Sequence, residues 1–194
     1  WYGIQGIPLS GGNQANSILI DLNGVSGTSD KGTPGDVEVP CPAHGRISGR
    51  VGLEAFGAST AGIPVSAVFC HNGVAIGGGV APMDAEGNVT FECNLSDGTY
   101  FLFLRSRSNL VKRVEFTLVN GIATFPNVVL TAGDINQDNT VDVADYAILS
   151  VSYGSALGDS SYVDLADLNG DGEVDIADYA VLSANFGLEG DPLP

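Results

Sequence analysis

Basic residues are scarce: 7 Lys+Arg stand against 23 Asp+Glu, for a formal net charge of -16. That balance excludes a nucleic-acid partner and an anionic membrane surface, since like charge repels both. No apolar run reaches the roughly 18 residues that a membrane helix needs, so no transmembrane segment is expected. Cysteine is limited to 3 residues with no CxxC pair, which removes the usual zinc pattern. A nucleophile elbow, a phosphate-binding loop and an HExxH helix are all missing. No enzyme is expected. The chain starts at Trp1 without a basic and apolar leader, so it reads as a processed secreted protein or a fragment.

What is present is apolar and turn-rich. Hydrophobic residues make up 44% and charged ones only 15%, which is not the composition of a solvated tail. With 27 Gly and 8% aromatics, a β protein is favoured over a helical bundle.

The charge is unevenly placed. All seven basic residues (Lys31, Arg46, Arg50, Arg105, Arg107, Lys112 and Arg113) precede residue 134. Thirteen acids lie from Asp134 to Asp191 with no Lys or Arg among them. Such a segment repels itself unless cations neutralise it. Apolar residues at helical spacing (Tyr146, Leu149, Val174, Tyr179 and Leu182) argue that it folds.

The same segment is a repeat. DINQDNTVDVADYAILSVSYG, Asp134 to Gly154, aligns without a gap on DLNGDGEVDIADYAVLSANFG, Asp167 to Gly187, at an offset of 33. Each copy opens with oxygen donors at the spacing of a calcium loop, where a hard cation needs several ligands from one sharply turned segment. The first loop offers Asp134, Asn136, Asp138, the Thr140 carbonyl, Asp142 and Asp145. The second offers Asp167, Asn169, Asp171, the Glu173 carbonyl, Asp175 and Asp178. Position 6 calls for positive φ, which Gly172 adopts freely and Asn139 tolerates. Val141 and Val174, at position 8, are expected to pair with each other between the loops. Two Ca2+ sites are the reading.

These paired loops, each followed by one helix and closed by Asp at position 12, resemble a dockerin domain over roughly residues 132–187. The resemblance implies docking to a β-sandwich partner, a cohesin, through the helix faces. The positions it assigns to recognition are Val143, Ala144, Ser150 and Val151, with Ile176, Ala177, Ser183 and Ala184 in the twin. All are small or apolar here; well-known dockerins often carry Ser-Thr and basic residues there.

Residues 46–131 read as strands. Arg46–Ala55, Ile63–Cys70, Asn88–Cys93, Thr99–Arg105, Val111–Val119 and Ile122–Leu130 alternate or run apolar, and Asn72-Gly73, Glu86-Gly87, Asp97-Gly98 and Asn120-Gly121 fall between runs as turns. Spacing of this kind predicts an antiparallel β-sandwich. The stretches GRISGRV, GIPVSAV and GNVTFECNLSDGTYFLFL resemble the carboxypeptidase-regulatory-like or transthyretin-like sandwich, which implies a non-catalytic spacer or adhesive module. Cys70 and Cys93 both end predicted strands and are expected to form a disulfide across the sandwich; Cys41 is able to replace either.

The organisation expected is therefore a Gly/Ser-rich N-terminal arm (1–45), a β-sandwich (46–131), a dockerin-like calcium-binding domain (132–188) and a short tail (189–194), mainly β overall. The arm carries apolar patches at Trp1–Leu9 and Ile18–Leu22, suited to adding a strand to its own sandwich or to a neighbouring copy. An open-ended exchange of that kind builds filaments. Three readings follow. The first is an extracellular or cell-surface structural protein whose partners are copies of itself. The second is a cohesin-binding module whose sandwich is a spacer for a separate enzyme or scaffold. The third is a carbohydrate-binding sandwich using Tyr100, Phe101 or Phe103.

Overall fold

The computed structural model describes residues 45–194. The arm up to residue 44, with Cys41, lies outside the described residues, and its last residue, Gly45, opens the first strand. Eight strands are followed by two helices: β1 (Gly45–Leu53), β2 (Pro64–His71), β3 (Val74–Pro82), β4 (Asn88–Cys93), β5 (Gly98–Arg105), β6 (Lys112–Leu118), β7 (Ile122–Thr124), β8 (Val128–Leu130), α1 (Val143–Ser152) and α2 (Ile176–Asn185). The chain is mainly β.

The strands form two sheets. One has the order β3-β2-β5-β6 and is antiparallel throughout. The other is built around β1, which pairs antiparallel with β4 but parallel with β7 and β8. The antiparallel sandwich expected from the sequence is present, and the short strands β7 and β8 join β1 in parallel. The predicted single strand Ile122–Leu130 is in fact two, split around Pro126, whose missing N–H cannot serve a ladder. Phe125 fills the break, fully buried, against Gly49, where a Cβ would collide with its ring. Only glycine allows that approach.

Period-two alternation points one face of each sheet inward. Ile47 and Val51 of β1, Val65, Ala67 and Phe69 of β2, Val89 and Phe91 of β4, Leu102 and Leu104 of β5, and Phe116 and Leu118 of β6 meet there, each at most 3% exposed. Two turns carry the Asn-Gly pairs: Asn72 (φ 51) with Gly73 (φ 77), and Asn120 (φ 52) with Gly121 (φ 74). Both residues of each pair are left-handed, as a tight hairpin needs.

The predicted Cys70–Cys93 disulfide is not formed; both thiols are free and buried. Cys93 belongs to the core between the sheets, whereas Cys70 packs with Phe103 and Val111 in a separate cluster. Ordinary alternation along β2 separates the thiols: Val65, Ala67 and Phe69 face the core between the sheets, and Val68 and Cys70 face the other side. None of the aromatics named for sugar stacking is freely exposed. Tyr100 and Phe103 are buried, and Phe101 is covered by the Arg113 guanidinium, 4.9 Å from its ring centre.

Candidate metal and docking site

A second core follows the sandwich. Ile135, Val141, Leu149, Ala166, Leu168, Val174 and Leu182 pack together, joined by Leu110 from the loop after β5. Val141 and Val174 do not pair with each other. The Val141 N–H donates to the Leu188 carbonyl and its own carbonyl accepts from Gly187; Val174 does the same with Ser155 and Gly154. Each loop is thus stitched to the exit of the other repeat's helix, which interlocks the two copies.

In each loop the last acid ties the entrance to the helix. Asp145 accepts from the N–H groups of Asn136 (2.9 Å) and Asp142 (2.8 Å). Asp178 accepts from Leu168 (2.7 Å), Asn169 (3.2 Å) and Asp175 (2.8 Å). Asp142 and Asp175 are the N-caps of α1 and α2, and with Asp145 and Asp178 at N3 they form reciprocal capping boxes. The carboxylates at positions 9 and 12 therefore start the helices as well as face the loops. Asn136 and Asn169 receive the N–H of Asp138 and Asp171, and those acids receive Thr140 and Glu173, so positions 3 and 5 form tight side-chain turns.

Asp134, Asp145 and Asp178 are fully buried and Asp167 is 3% exposed. Burial pushes the Asp134 carboxyl above its ordinary range, against the opposing pull of Arg105; burial likewise raises Asp178. Among the described residues no three His, Cys, Asp or Glu side chains converge as a ready-made cage. The loops draw instead on mixed oxygens, including Asn amides and backbone carbonyls, which suits a hard cation. One atom tests the fit. Asp134 Oδ1 is buried and has no hydrogen-bond partner. A buried carboxylate oxygen without a donor is costly, and a bound divalent cation supplies what it lacks.

The eight residues assigned to recognition all face outward. Val143 is 67%, Val151 78% and Ile176 63% exposed, and Ala144, Ser150, Ala177, Ser183 and Ala184 are exposed too. Tyr146 and Tyr179 meet edge to face at 6.0 Å between the helices. They line a cleft of about 360 Å³ with Leu149, Ser150, Tyr153 and Ile176.

The family model described as the dockerin type I domain matches residues 132–187. These residues are a dockerin domain. Dockerin domains bind calcium, in keeping with the buried acids above. No curated protein matches the chain. A chain from a mutant type II cohesin–X–dockerin complex of Acetivibrio cellulolyticus is similar in fold. It is 18% identical with a TM-score of 0.60, and the match covers 75% of this chain and 97% of that one. A second interface mutant of the same complex gives 17% identity and the same TM-score and coverage. The type II cohesin-dockerin domain from Bacteroides cellolosolvens is 35% identical over 31% of this chain and 90% of that one, with a TM-score of 0.27.

Several residues that hold the dockerin domain in place receive no role from the sequence alone. Arg107 donates to the Asp164 carboxylate (3.0 Å) and to the carbonyls of Asp164 (2.7 Å) and Asp167 (3.1 Å), with its guanidinium 5.0 Å from the Phe56 ring centre. Asn185 of α2 donates to Glu54 (2.8 Å). Ser108 donates to the Leu165 carbonyl. The tail is tied to the sandwich: Asp191 accepts from Arg113 N–H at 2.7 Å and donates its own N–H to the Val111 carbonyl. Two arginines separated by one residue, Arg105 and Arg107, in a chain otherwise poor in basic residues were the available signal.

Proposed function

We propose that this chain is a non-catalytic, extracellular attachment module. Its dockerin domain, loaded with two calcium ions, docks a cohesin-like β-sandwich through the exposed faces of α1 and α2. The observation that carries this reading is the matched pair of stripes: four small or apolar residues on each helix, all exposed, above two buried-acid loops. Asp134, Asn136, Asp138, Thr140, Asp142 and Asp145 hold one ion and their counterparts from Asp167 to Asp178 hold the other. Calcium supplies the charge that lets the thirteen acids stand together, and so holds both helices in register. The stripes carry no Lys or Arg, so the complementary face is apolar. The test is calorimetry against type I and type II cohesins in calcium and in excess chelator. Binding in calcium, abolished by chelator and by Val151→Asp with Ala184→Asp, supports the reading; calcium-independent binding or none overturns it.

A second reading is supported by one feature. β3 is an edge strand with apolar, exposed Val74, Ile76 and Val80 and no charged residue. Such an edge accepts an extended segment. On this reading copies of the chain join through β3 and the N-terminal arm into filaments or a layer. Light scattering of the chain with and without residues 1–40 tests it; a monomer in both removes it.

A further inference from the structure

The loops are built alike but sit in different electrostatic surroundings. Arg105, the last residue of β5, directs Nη2 to Asp134 Oδ2 at 3.3 Å. Its side chain is 24% exposed, and that of Asp134 is fully buried. Neither group is fully matched, since Arg105 Nε and Asp134 Oδ1 are both buried without a partner. In the second loop the equivalent carboxylate, Asp167, receives the neutral Tyr162 hydroxyl at 2.8 Å. The nearby Arg107 reaches the Asp167 carbonyl rather than its carboxylate. Position 1 therefore faces a fixed positive charge in one loop and a phenol in the other.

Resting on the two-calcium reading, we infer that Arg105 makes the first loop the weaker calcium site, filled second, so that a sandwich residue sets the metal response of the dockerin domain. Two effects oppose each other. The Arg105 contact orients Asp134, which favours binding, and places a like charge beside the incoming cation, which disfavours it. Orientation is already secured by the Asn139 N–H on the same oxygen at 3.0 Å, as the Gly172 N–H secures Asp167 at 2.9 Å. The repulsion has no such substitute. Between a single and a double charge about 6 Å apart it amounts to about tenfold in affinity even with the screening of bulk water. Without calcium, the same guanidinium neutralises part of the first loop's charge. By reciprocity, filling that loop weakens the Arg105–Asp134 link between sandwich and dockerin domain.

The experiment titrates the full chain with calcium while following the backbone amides of Asn139 and Gly172, one reporter per loop. In the unaltered chain Gly172 is expected to shift first and Asn139 at about tenfold higher calcium. In Arg105→Gln the Asn139 midpoint falls by about tenfold and the Gly172 midpoint stays; Arg105→Lys keeps the original gap. Equal midpoints in the unaltered chain, or Asn139 shifting first, overturn the proposal while leaving two calcium sites standing, and this arm needs no variant to fold. An unmoved or raised Asn139 midpoint in a folded Arg105→Gln chain also overturns it. If neither amide responds and calcium leaves the melting temperature unchanged, the calcium reading itself falls and takes the proposal with it.

Discussion

The first calcium-type loop has Gln137 at position 4 and Asn139 at position 6; the second has Gly170 and Gly172 at the same places. All four are left-handed, at φ 67, 77, 77 and 90. Glycine is the least strained choice there, so the first loop departs from it for a reason. Asn139 Oδ1 accepts from Val111 N–H at 2.8 Å and its amide donates to the Asp191 carbonyl at 3.2 Å, while Gln137 donates to the Arg107 carbonyl at 3.3 Å. The second loop is held the other way round. The sandwich comes to it, with Gly57 N–H on the Asn169 carbonyl at 2.7 Å and Phe56 lying where a Gly170 side chain would stand. One repeat fastens itself with side chains and the other makes room for its neighbour. A duplicated motif can thus keep its loop chemistry while its two copies diverge in how they are anchored.

The sandwich and the dockerin domain differ more widely still. The sandwich core is apolar, while the dockerin core is small and lies against buried acids. Removing calcium is expected to have the largest effect and to divide the two. The helical signal melts at a lower temperature in excess chelator, because binding energy is folding energy for such loops, while the sheet transition stays in place. Far-ultraviolet circular dichroism across a thermal scan reads both; one transition unaffected by chelator breaks the contrast.

Next in size are the acids at position 12. Asp178→Ala strands three backbone N–H groups and Asp145→Ala two, one in each case being the N-cap N–H of the capping box. An unpaired buried donor costs about 1–3 kcal/mol. Each substitution is expected to cost roughly 3 kcal/mol or more in calcium-saturated protein, Asp178→Ala the more. Denaturant titration measures the difference, and equal costs blunt the comparison.

The anchors come third. Gly170→Ala places a Cβ into the Phe56 ring at a left-handed residue and is expected to cost about 2–4 kcal/mol. Asn139→Gly relieves φ but leaves the Val111 N–H unpaired, for a net loss of about 1 kcal/mol. If the loops were interchangeable the two changes would be equally mild, which paired unfolding curves decide.

How much of this was written in the sequence follows from where each partner lies. The loops were legible because each calcium-type position is a few residues from the next. Asp142 and Asp175 were read as ligands without their second role as caps, though cap and N3 acid are also close in the chain. The Asn-Gly hairpins were legible for the same reason. β3 was not: Val74–Pro82 is interrupted by Gly77, Gly78 and Gly79, and an edge strand with little buried face shows no alternation. Nor was the parallel pairing of β1 with β7 and β8, whose partners are about seventy-five residues apart. The Arg105–Asp134 contact and the role of Asn139 depend on how sandwich and dockerin domain meet, and the repeat alone does not encode that.

The smallest expected effect is the pH dependence of the calcium-free protein. Asp134 and Asp178 have carboxyls raised by burial above the ordinary value of 3.8. The folded state then holds more protons than the unfolded state between 3.8 and the raised values, so stability falls as pH climbs through that window. Calcium reverses the preference, since it needs both acids ionised, and the loaded protein is expected to weaken on acidification instead. The shifts are net of opposing forces: Arg105 pulls Asp134 down and three N–H groups pull Asp178 down, which keeps the effect modest. Replacing Arg105 by Gln removes the pull on Asp134 alone. The acid stabilisation of the calcium-free chain is expected to grow in that variant. Melting temperatures from pH 4 to 7 in chelator report the outcome, and a variant profile parallel to the original would mean that Arg105 does not set the first loop apart.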